Sequence, residues 1–179
     1  KKLDSNLLVN AVLGNMYSGK KELVSIKLED YIEKIIRSDT DAYLTTFHLF
    51  KKFPSLKKDI EYKNIKDNSF IYHLLAWIGP SGAITGFHAD WAENVNVQIK
   101  GKKYFYFVSP EYNNNMYVSD RFERFSTNSN VDLKNFDEKK FPLFKQTKII
   151  KVLLEEGDAV YIPRGWWHHA ESIEPSINV

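Results

Sequence analysis

Polar and apolar residues alternate along the second half of the chain in a way that predicts short β-strands. The clearest case is residues 94–99, where Asn, Asn and Gln alternate with Val, Val and Ile. Because successive side chains of a strand point to opposite faces, this strand has one polar and one apolar face. If the apolar face meets an outer packing layer, the polar face is directed into a wet cavity.

Short apolar or alternating runs, separated by Gly, Pro, Asn and Asp, predict a succession of strands from residue 71 onward. They cover residues 71–78, 84–90, 94–100, 103–108, 149–154, 159–162, 167–173 and 176–179. Short strands at this spacing favour a mainly β fold, the double-stranded β-helix or cupin-like jelly roll, in which two sheets face each other.

The first part of the chain predicts mixed elements, including a helix. Residues 7–13 form an apolar run that favours a strand. Residues 28–37 carry apolar side chains at helical spacing, with acidic residues early and Arg37 late, as the helix dipole prefers. Ser25 is the expected helix cap.

A further β-rich run occupies residues 42–50, and an exposed connection is expected over residues 55–69. We therefore predict a single domain, with flanking elements in residues 1–69 and the jelly-roll core in residues 70–179. Residues 111–148 interrupt that core as a long insertion. An insertion of this length predicts either a lid or substrate-binding segment or a variable surface loop.

Composition limits the class of protein. A chain of 179 residues is long enough for one sizeable core, and its 43% hydrophobic content is typical of a globular protein. The net charge of +2, without a Lys/Arg cluster, does not indicate a nucleic-acid partner. The chain has no Cys, which excludes disulfides, thiolate metal ligands and a Cys nucleophile. We find no membrane-spanning run and no signal-peptide pattern, and expect a cytoplasmic or nuclear location.

Two segments contain candidate metal ligands, and the first carries the pattern Gly82-X5-His88-X-Asp90. His88 and Asp90 are one residue apart in a predicted strand, so their side chains share one face. A third ligand is needed before the pair indicates a metal. Two histidines and one carboxylate form the facial triad of non-haem Fe(II) oxygenases, which leaves metal positions open for substrate and O₂.

The second segment supplies the third ligand through the spacing Gly-X5-Pro163-X4-His168. The two spacings resemble the first and second cupin motifs. His168 and His169 are neighbours in a predicted strand, so only one of them can point inward. The distance from Pro163 selects His168, and His169 is expected to point outward or to pack against the other sheet. His48 and His73 lack a partner motif and are expected to be structural or surface residues.

Most of the chain, from about residue 43 to residue 179, resembles the JmjC-type 2-oxoglutarate oxygenases. The segments that carry the resemblance are AWIGPSGAITGFHADWAENVNVQIKGKKYFYFVSP and GDAVYIPRGWWHHAES. Within that family the chain is most similar to the small protein-hydroxylase branch, which includes the asparaginyl hydroxylase that inhibits hypoxia-inducible factor. The resemblance implies that His88, Asp90 and His168 hold Fe(II) and form the catalytic centre.

The resemblance also implies contacts to the cosubstrate. Thr85 and Lys103 match the hydroxyl and the lysine that hold the distal carboxylate of 2-oxoglutarate. Asn94 matches an amide at its metal-proximal end, and Tyr43 resembles a tyrosine that helps to hold the distal carboxylate. A dianionic cosubstrate inside a barrel needs a buried cation, which a lysine on a rigid strand supplies.

Three further residues are candidates for the site without one definite role. Asn178 is a candidate for one more polar contact to the cosubstrate. Trp91 and Trp167 flank the ligands, and each either forms a wall of the site or packs in the core.

The function implied by the resemblance is a dioxygenase that uses Fe(II), 2-oxoglutarate and O₂, with ascorbate supporting turnover. Hydroxylation of a protein or peptide side chain is the first interpretation. The alternatives are demethylation of N-methyl-lysine, hydroxylation of a modified tRNA base, and a non-catalytic cupin-like module that only holds a metal. No membrane partner is expected, and the oligomeric state is left open.

Overall fold

The computed structural model describes residues 6–13, 22–59, 74–120 and 126–179. These residues form a mainly β structure with two helices and three 3₁₀ segments. The strands are β1 (Leu8–Leu13), β2 (Glu22–Lys27), β3 (Ala42–Phe47), β4 (Ala76–Gly79), β5 (Ile84–Asp90), β6 (Asn94–Lys100), β7 (Lys103–Val108), β8 (Ser126–Asn128), β9 (Ile149–Leu154), β10 (Ala159–Ile162), β11 (Trp167–Ser172) and β12 (Ser176–Asn178). The helices are α1 (Leu28–Ile36) and α2 (Leu49–Lys52), and the 3₁₀ segments are Pro54–Asp59, Pro110–Met116 and Pro142–Gln146.

The strands form two antiparallel sheets that enclose a cavity. One sheet has seven strands in the order β10-β6-β12-β4-β3-β1-β2, and the other has five in the order β8-β5-β11-β7-β9. Buried apolar side chains from both sheets pack between them, and they include Phe105, Phe107 and Ile162. This arrangement confirms the predicted cupin-like jelly roll, which β1, β2 and β3 extend at one edge.

The predicted strands of the core agree with the structure to within a few residues. The exception is the run predicted over residues 71–78, in which the described part begins as strand at Ala76 and continues to Gly79. Residues 71–73 lie outside the described residues. Strands β2 and β8 were not predicted, and the predicted boundary at residues 69 and 70 lies outside the described residues. On β6 the prediction is confirmed for Asn94 and Asn96, which line the cavity. The predicted outer packing of the apolar face is not found for Val95 and Ile99, which are 46% and 41% exposed, and Val95 also borders the cavity.

Helix α1 packs its apolar side on the outer face of the seven-stranded sheet through Leu28, Tyr31 and Ile35. The prediction that Ser25 caps this helix is wrong, because Ser25 lies within β2. The chain enters α1 directly from the strand, and the first helical N–H, that of Leu28, donates to the carbonyl of Leu7 at 2.8 Å. The residue just before β1 therefore satisfies one of the N–H groups that have no partner within the helix.

The single strand predicted over residues 42–50 is divided in the structure. Strand β3 ends at Phe47, and α2 follows with the buried Phe50 as its anchor. The β3–β4 register shifts between Leu44 and Phe47, and Thr46 has a positive φ of 50°. A β-branched residue rarely adopts this conformation, which marks an irregularity that amino-acid propensity does not predict.

The described part of the insertion is packed against the outer face of the five-stranded sheet. It provides β8, which pairs with β5, and a set of apolar side chains that cover the sheet. These buried side chains are Met116, Val131, Phe141 and Phe144, in contact with Phe87 and Trp167 of the sheet. A predicted role as a lid or substrate-binding segment stays a prediction, but the segment is also a structural layer.

Across the ranges described, neither helix combines the length and hydrophobicity that crossing a membrane requires.

Candidate metal centre

The candidate site lies in a cavity between the two sheets. Its volume is about 510 Å³, a value that includes its open mouth. All the predicted ligands and cosubstrate contacts line it, and so does Asn178. The full lining is Tyr43, Trp77, Thr85, His88, Asp90, Asn94, Val95, Asn96, Lys103, Phe105, Ile162, His168, Ala170 and Asn178.

His88, Asp90 and His168 come together inside this cavity, with their ligand atoms within 4.8 Å of one another. Strands β5 and β11 pair in a register that places His88 directly opposite His168, and Asp90 lies two residues further along β5. Asp90 Oδ1 is 3.9 Å from His88 Nε2, and Asp90 Oδ2 is 3.7 Å from His168 Nε2. Neighbouring strands therefore bring the ligands of the two sequence motifs together.

Backbone carbonyls orient both imidazole rings. His88 Nδ1 lies 2.9 Å from the carbonyl oxygen of Gly86, and His168 Nδ1 lies 3.1 Å from that of Trp166. A carbonyl can only accept a hydrogen bond, so each Nδ1 carries a proton and Nε2 is the nitrogen that faces Asp90 and is available to bind a metal. Burial, together with the neighbouring His88, holds the pKa of His168 well below its ordinary value. The ring of His168 is therefore neutral, as a metal ligand must be.

The candidate carboxylate ligand, Asp90, is also held in place. Asn94 Nδ2 donates to Asp90 Oδ2 at 2.6 Å. Two neutral imidazole nitrogens and one carboxylate oxygen suit a divalent first-row metal ion such as Fe(II) and leave part of its coordination sphere open. The donor set and the hydrogen bonds behind it therefore fit the predicted metal.

A β-bulge in β5 directs Thr85 into the same cavity. His88 pairs with His168 but Thr85 pairs with Ala170, so β5 has one more residue than β11 between these pairs. In a regular strand, residues three apart point to opposite faces. The extra residue of the bulge changes the side-chain alternation, so Thr85 and His88 both point inward. A bulge beside a functional site commonly redirects a side chain in this way.

Lys103 is a buried cation at the same cavity. Its side chain is 1% exposed, and Nζ donates to the hydroxyl oxygen of Tyr43 at 2.9 Å and also to Asn178 Oδ1. In the part of the chain that the structure describes, Lys103 forms no ion pair with a carboxylate. Burying an uncompensated charge is costly, so this ammonium group is suited to receive an anionic ligand.

His169 lies on the opposite face of β11 from His168. It is buried beneath the insertion, with ring-centroid distances of 5.3 Å to Phe87 and 5.4 Å to Tyr106. Burial lowers its pKa to about 4. Neither ring nitrogen has a hydrogen-bond partner among the described residues. The prediction that His169 points away from the cavity is confirmed, and its ring packs on aromatic rings of the neighbouring strands β5 and β7 rather than on the other sheet.

The other tryptophans and histidines named from the sequence lie outside the cavity lining or outside the described residues. Trp167 is buried in the apolar layer under the insertion and donates to Asn113 Oδ1 at 2.7 Å, so it is a packing residue. Trp91 is 55% exposed and does not line the cavity. His48 is exposed just before α2. His73 lies outside the described residues.

Four further residues line the cavity but were not predicted to do so: Trp77, Phe105, Ile162 and Ala170. Each is apolar, and an apolar residue facing a cavity has the same sequence pattern as one facing the core. The available signal was the two-residue period of a strand, because Phe105 lies two residues after Lys103 and Ala170 two residues after His168.

Comparison with known proteins agrees with the cupin-like fold. A family model described as a cupin-like domain matches residues 15–179. JmjC domain-containing protein D of Dictyostelium discoideum is 35% identical, over 89% of this chain and 40% of its own length.

Two further relatives carry an activity in their names. Lysine-specific demethylase JMJ30 of Arabidopsis thaliana is 30% identical, over 96% of this chain and 43% of the relative. Lysine-specific demethylase 8 of Xenopus tropicalis is 31% identical, over 85% of this chain and 35% of the relative. The chain thus spans less than half the length of the curated relatives named here.

Proposed function

The chain belongs to the cupin-like JmjC-domain family of oxygenases, and from that premise we propose that it is an Fe(II)- and 2-oxoglutarate-dependent enzyme that hydroxylates a protein side chain. One observation carries the proposal: three metal-ligating side chains and a buried ammonium group line the same cavity. The family resemblance names these residues, and their arrangement gives the physical reason for a dicarboxylate cosubstrate.

Charge balance favours a dianion in this cavity. A divalent metal held by the triad keeps a net charge of about +1, because Asp90 is its only anionic ligand. Lys103 adds a second positive charge. 2-Oxoglutarate carries two carboxylates and would neutralise both, whereas a monocarboxylate bound to the metal would leave Lys103 buried without a counter-charge.

The residues of the chain divide the work of binding. His88 and His168 would hold Fe(II) through Nε2, and Asn94 keeps Asp90 aligned with them. Lys103, supported by Tyr43 and Thr85, would bind the far carboxylate of 2-oxoglutarate.

When Fe(II) and 2-oxoglutarate are bound, the centre supplies an oxidation by O₂ that converts 2-oxoglutarate to succinate and CO₂ and inserts one oxygen atom into a substrate C–H bond. Apolar side chains such as Phe105 and Ile162 exclude water from part of the cavity wall. The protein therefore contributes orientation, charge and a protected space.

The test is turnover of purified protein with Fe(II), 2-oxoglutarate and ascorbate against a peptide library drawn from a proteome. We expect succinate formation and a product heavier by one oxygen atom, both absent in His88→Ala. Retained 2-oxoglutarate decarboxylation in His88→Ala would contradict the metal assignment. Binding of 2-oxoglutarate without succinate from any candidate would instead favour the non-catalytic cupin-like module.

Demethylation of N-methyl-lysine is the second candidate. It is favoured by the named demethylases among the relatives, one of which is similar over nearly the whole of this chain. The chemistry begins with the same C–H hydroxylation, after which the hydroxylated methyl group leaves as formaldehyde. Methyl-lysine peptides in the same assay separate the two reactions, because demethylation removes a methyl group and releases formaldehyde.

A modified tRNA base remains the third prediction, and tRNA binding and mass analysis of treated tRNA test it. The predicted cytoplasmic or nuclear location also stays a prediction. Localisation of the tagged full-length protein tests it independently of substrate.

A further inference from the structure

Gly79 lies at the end of β4, where it is buried directly beside the aromatic ring of Tyr43. A Cβ atom added at Gly79 would stand 2.6 Å from Tyr43 Cδ2 and 2.9 Å from Tyr43 Cε2. Real Cβ atoms essentially never approach another heavy atom so closely, so the ring would have to move. The absence of a side chain at residue 79 is thus what allows the ring to lie against β4.

The backbone of Gly79 does not itself require glycine. Among the described residues, the glycines with positive φ are Gly82, Gly101, Gly157 and Gly165, and Gly79 is not one of them. An alanine could therefore adopt the same backbone conformation. The reason for glycine here is the space that the neighbouring ring occupies.

The position of that ring matters because Tyr43 holds the buried cation. Its hydroxyl oxygen accepts a hydrogen bond from Lys103 Nζ at 2.9 Å, and its ring centroid lies 5.2 Å from the same atom. Tyr43 is 2% exposed, so close packing leaves its ring little room to move aside. A displaced ring would enter the cavity or lose its hydrogen bond with Lys103.

We infer that Gly79 is a positioning residue for the cosubstrate, which acts by leaving room for Tyr43 to hold Lys103 at the end of the cavity that receives the distal carboxylate. This inference rests on the proposed function, since it assigns that end of the cavity to 2-oxoglutarate. Gly79 itself contacts no reacting group. Its effect is transmitted through one ring and one hydrogen bond.

The test is the equilibrium affinity for 2-oxoglutarate, measured by calorimetry on protein loaded with Mn(II) to prevent turnover. Gly79→Ala is expected to weaken 2-oxoglutarate binding by about 10-fold or more, the effect of losing one hydrogen bond to a charged group. Mn(II) affinity is expected to change by less than about 2-fold, because the triad lies on the other sheet. Unchanged 2-oxoglutarate affinity in Gly79→Ala would overturn the inference.

Gly82→Ala is the matched control. Gly82 has a φ of 77°, so alanine strains the turn, but a Cβ there meets no atom within 4 Å. We expect lower thermal stability and unchanged 2-oxoglutarate affinity. An equal loss of affinity in Gly82→Ala would show that general destabilisation explains the result, and the inference would fail.

A double-mutant cycle with Tyr43→Ala tests whether Gly79→Ala changes 2-oxoglutarate affinity through the Tyr43 ring. Once the ring is absent, Gly79→Ala should cause less than about 2-fold further loss of 2-oxoglutarate affinity. If Gly79→Ala alone does not fold, recovery of folded protein in the double variant supports the inference, and failure of the double variant to recover folding overturns it. Absence of 2-oxoglutarate binding in the unmodified protein would instead contradict the proposed function.

Discussion

The two faces of the five-stranded sheet have opposite chemistry although they are built from the same strands. On β11, His168 points into the cavity and His169 points under the insertion. Both rings are buried, and burial lowers the pKa of each. They differ in partners: His168 Nδ1 bonds to a carbonyl and Nε2 faces Asp90, whereas neither nitrogen of His169 has a partner among the described residues.

The comparison shows that burial and residue type do not identify a functional histidine. What distinguishes His168 is that its surroundings fix the ring, leave one nitrogen directed at a carboxylate, and open into a polar cavity. The outer face, by contrast, is held by apolar contacts with the insertion. Substitutions on the inner face should therefore change binding, and those on the outer face should change stability.

The largest expected effect on binding is a difference in metal affinity between variants of the neighbours His168 and His169. His168→Ala should reduce Fe(II) affinity by more than about 100-fold and abolish turnover, because it removes a proposed metal ligand, and loss of a residue that only orients such a ligand already costs about 10- to 100-fold. His169→Phe is the control and should keep metal affinity within about 3-fold and stability within about 1 kcal/mol, since no hydrogen bond to a described residue is lost. Metal titration and urea denaturation measure these outcomes. Equal loss of metal binding in both variants would remove the distinction between the faces.

The outer face is tested by truncating Phe144, a buried ring of the insertion that packs on Phe87 at a centroid distance of 5.9 Å. Phe144→Ala should lower the free energy of unfolding by about 3 to 5 kcal/mol, through lost burial and the cavity left behind. The neighbouring Leu143, which is 43% exposed, gives the control. Leu143→Ala should cost less than about 1 kcal/mol, and a similar cost in both variants would show that the insertion is not packed as described.

A smaller effect is expected at the cosubstrate end of the inner face. Lys103→Met should weaken 2-oxoglutarate binding by about 30-fold or more, which corresponds to about 2 kcal/mol, because a buried carboxylate would lose its counter-charge. Metal affinity should change little. Lys102→Met is the control, since Lys102 lies at the surface in an ion pair with Glu155. Calorimetry that finds the same affinity in Lys103→Met and the unmodified protein would exclude Lys103 from the site.

The smallest predicted effect concerns Asn94 and its bond to Asp90. Asn94→Ala should reduce metal affinity by about 10-fold, as expected for a residue that orients a ligand. Asn96→Ala is matched to it, because Asn96 lines the same cavity from the same strand and its Oδ1 has no partner in the residues described. Asn96→Ala should leave metal affinity within about 2-fold. A greater loss in Asn96→Ala would mean that Asn94 does not orient the ligand in the way proposed.

Much of the core could be predicted from residue patterns, and the errors have local causes. Alternation along residues 94–99 identified Asn94 and Asn96 as cavity-facing, because side chains two residues apart in a strand share a face. Ser25 was assigned as a cap because residue type cannot show that the carbonyl of Leu7 already bonds the start of α1. The predicted strand over residues 42–50 was too long because the irregularity at Thr46 depends on pairing with β4.

The candidate ligands follow from spacing within two short segments, since His88, Asp90 and His168 each belong to a local motif. The sequence by itself also determines the jelly-roll pattern and places a lysine at the start of β7. Such spacing can be recognised in the sequence because it depends only on the geometry of neighbouring residues in one strand.

Only the tertiary structure decided how these pieces meet. It places His88 opposite His168, inserts the bulge that directs Thr85 inward, and brings Asn178 of the last strand to Lys103. It also shows that Gly79 is buried against Tyr43, a relation between strands far apart in the chain. The physical reason is that register, bulges and close packing arise from contacts between strands, and no single stretch of sequence contains both partners.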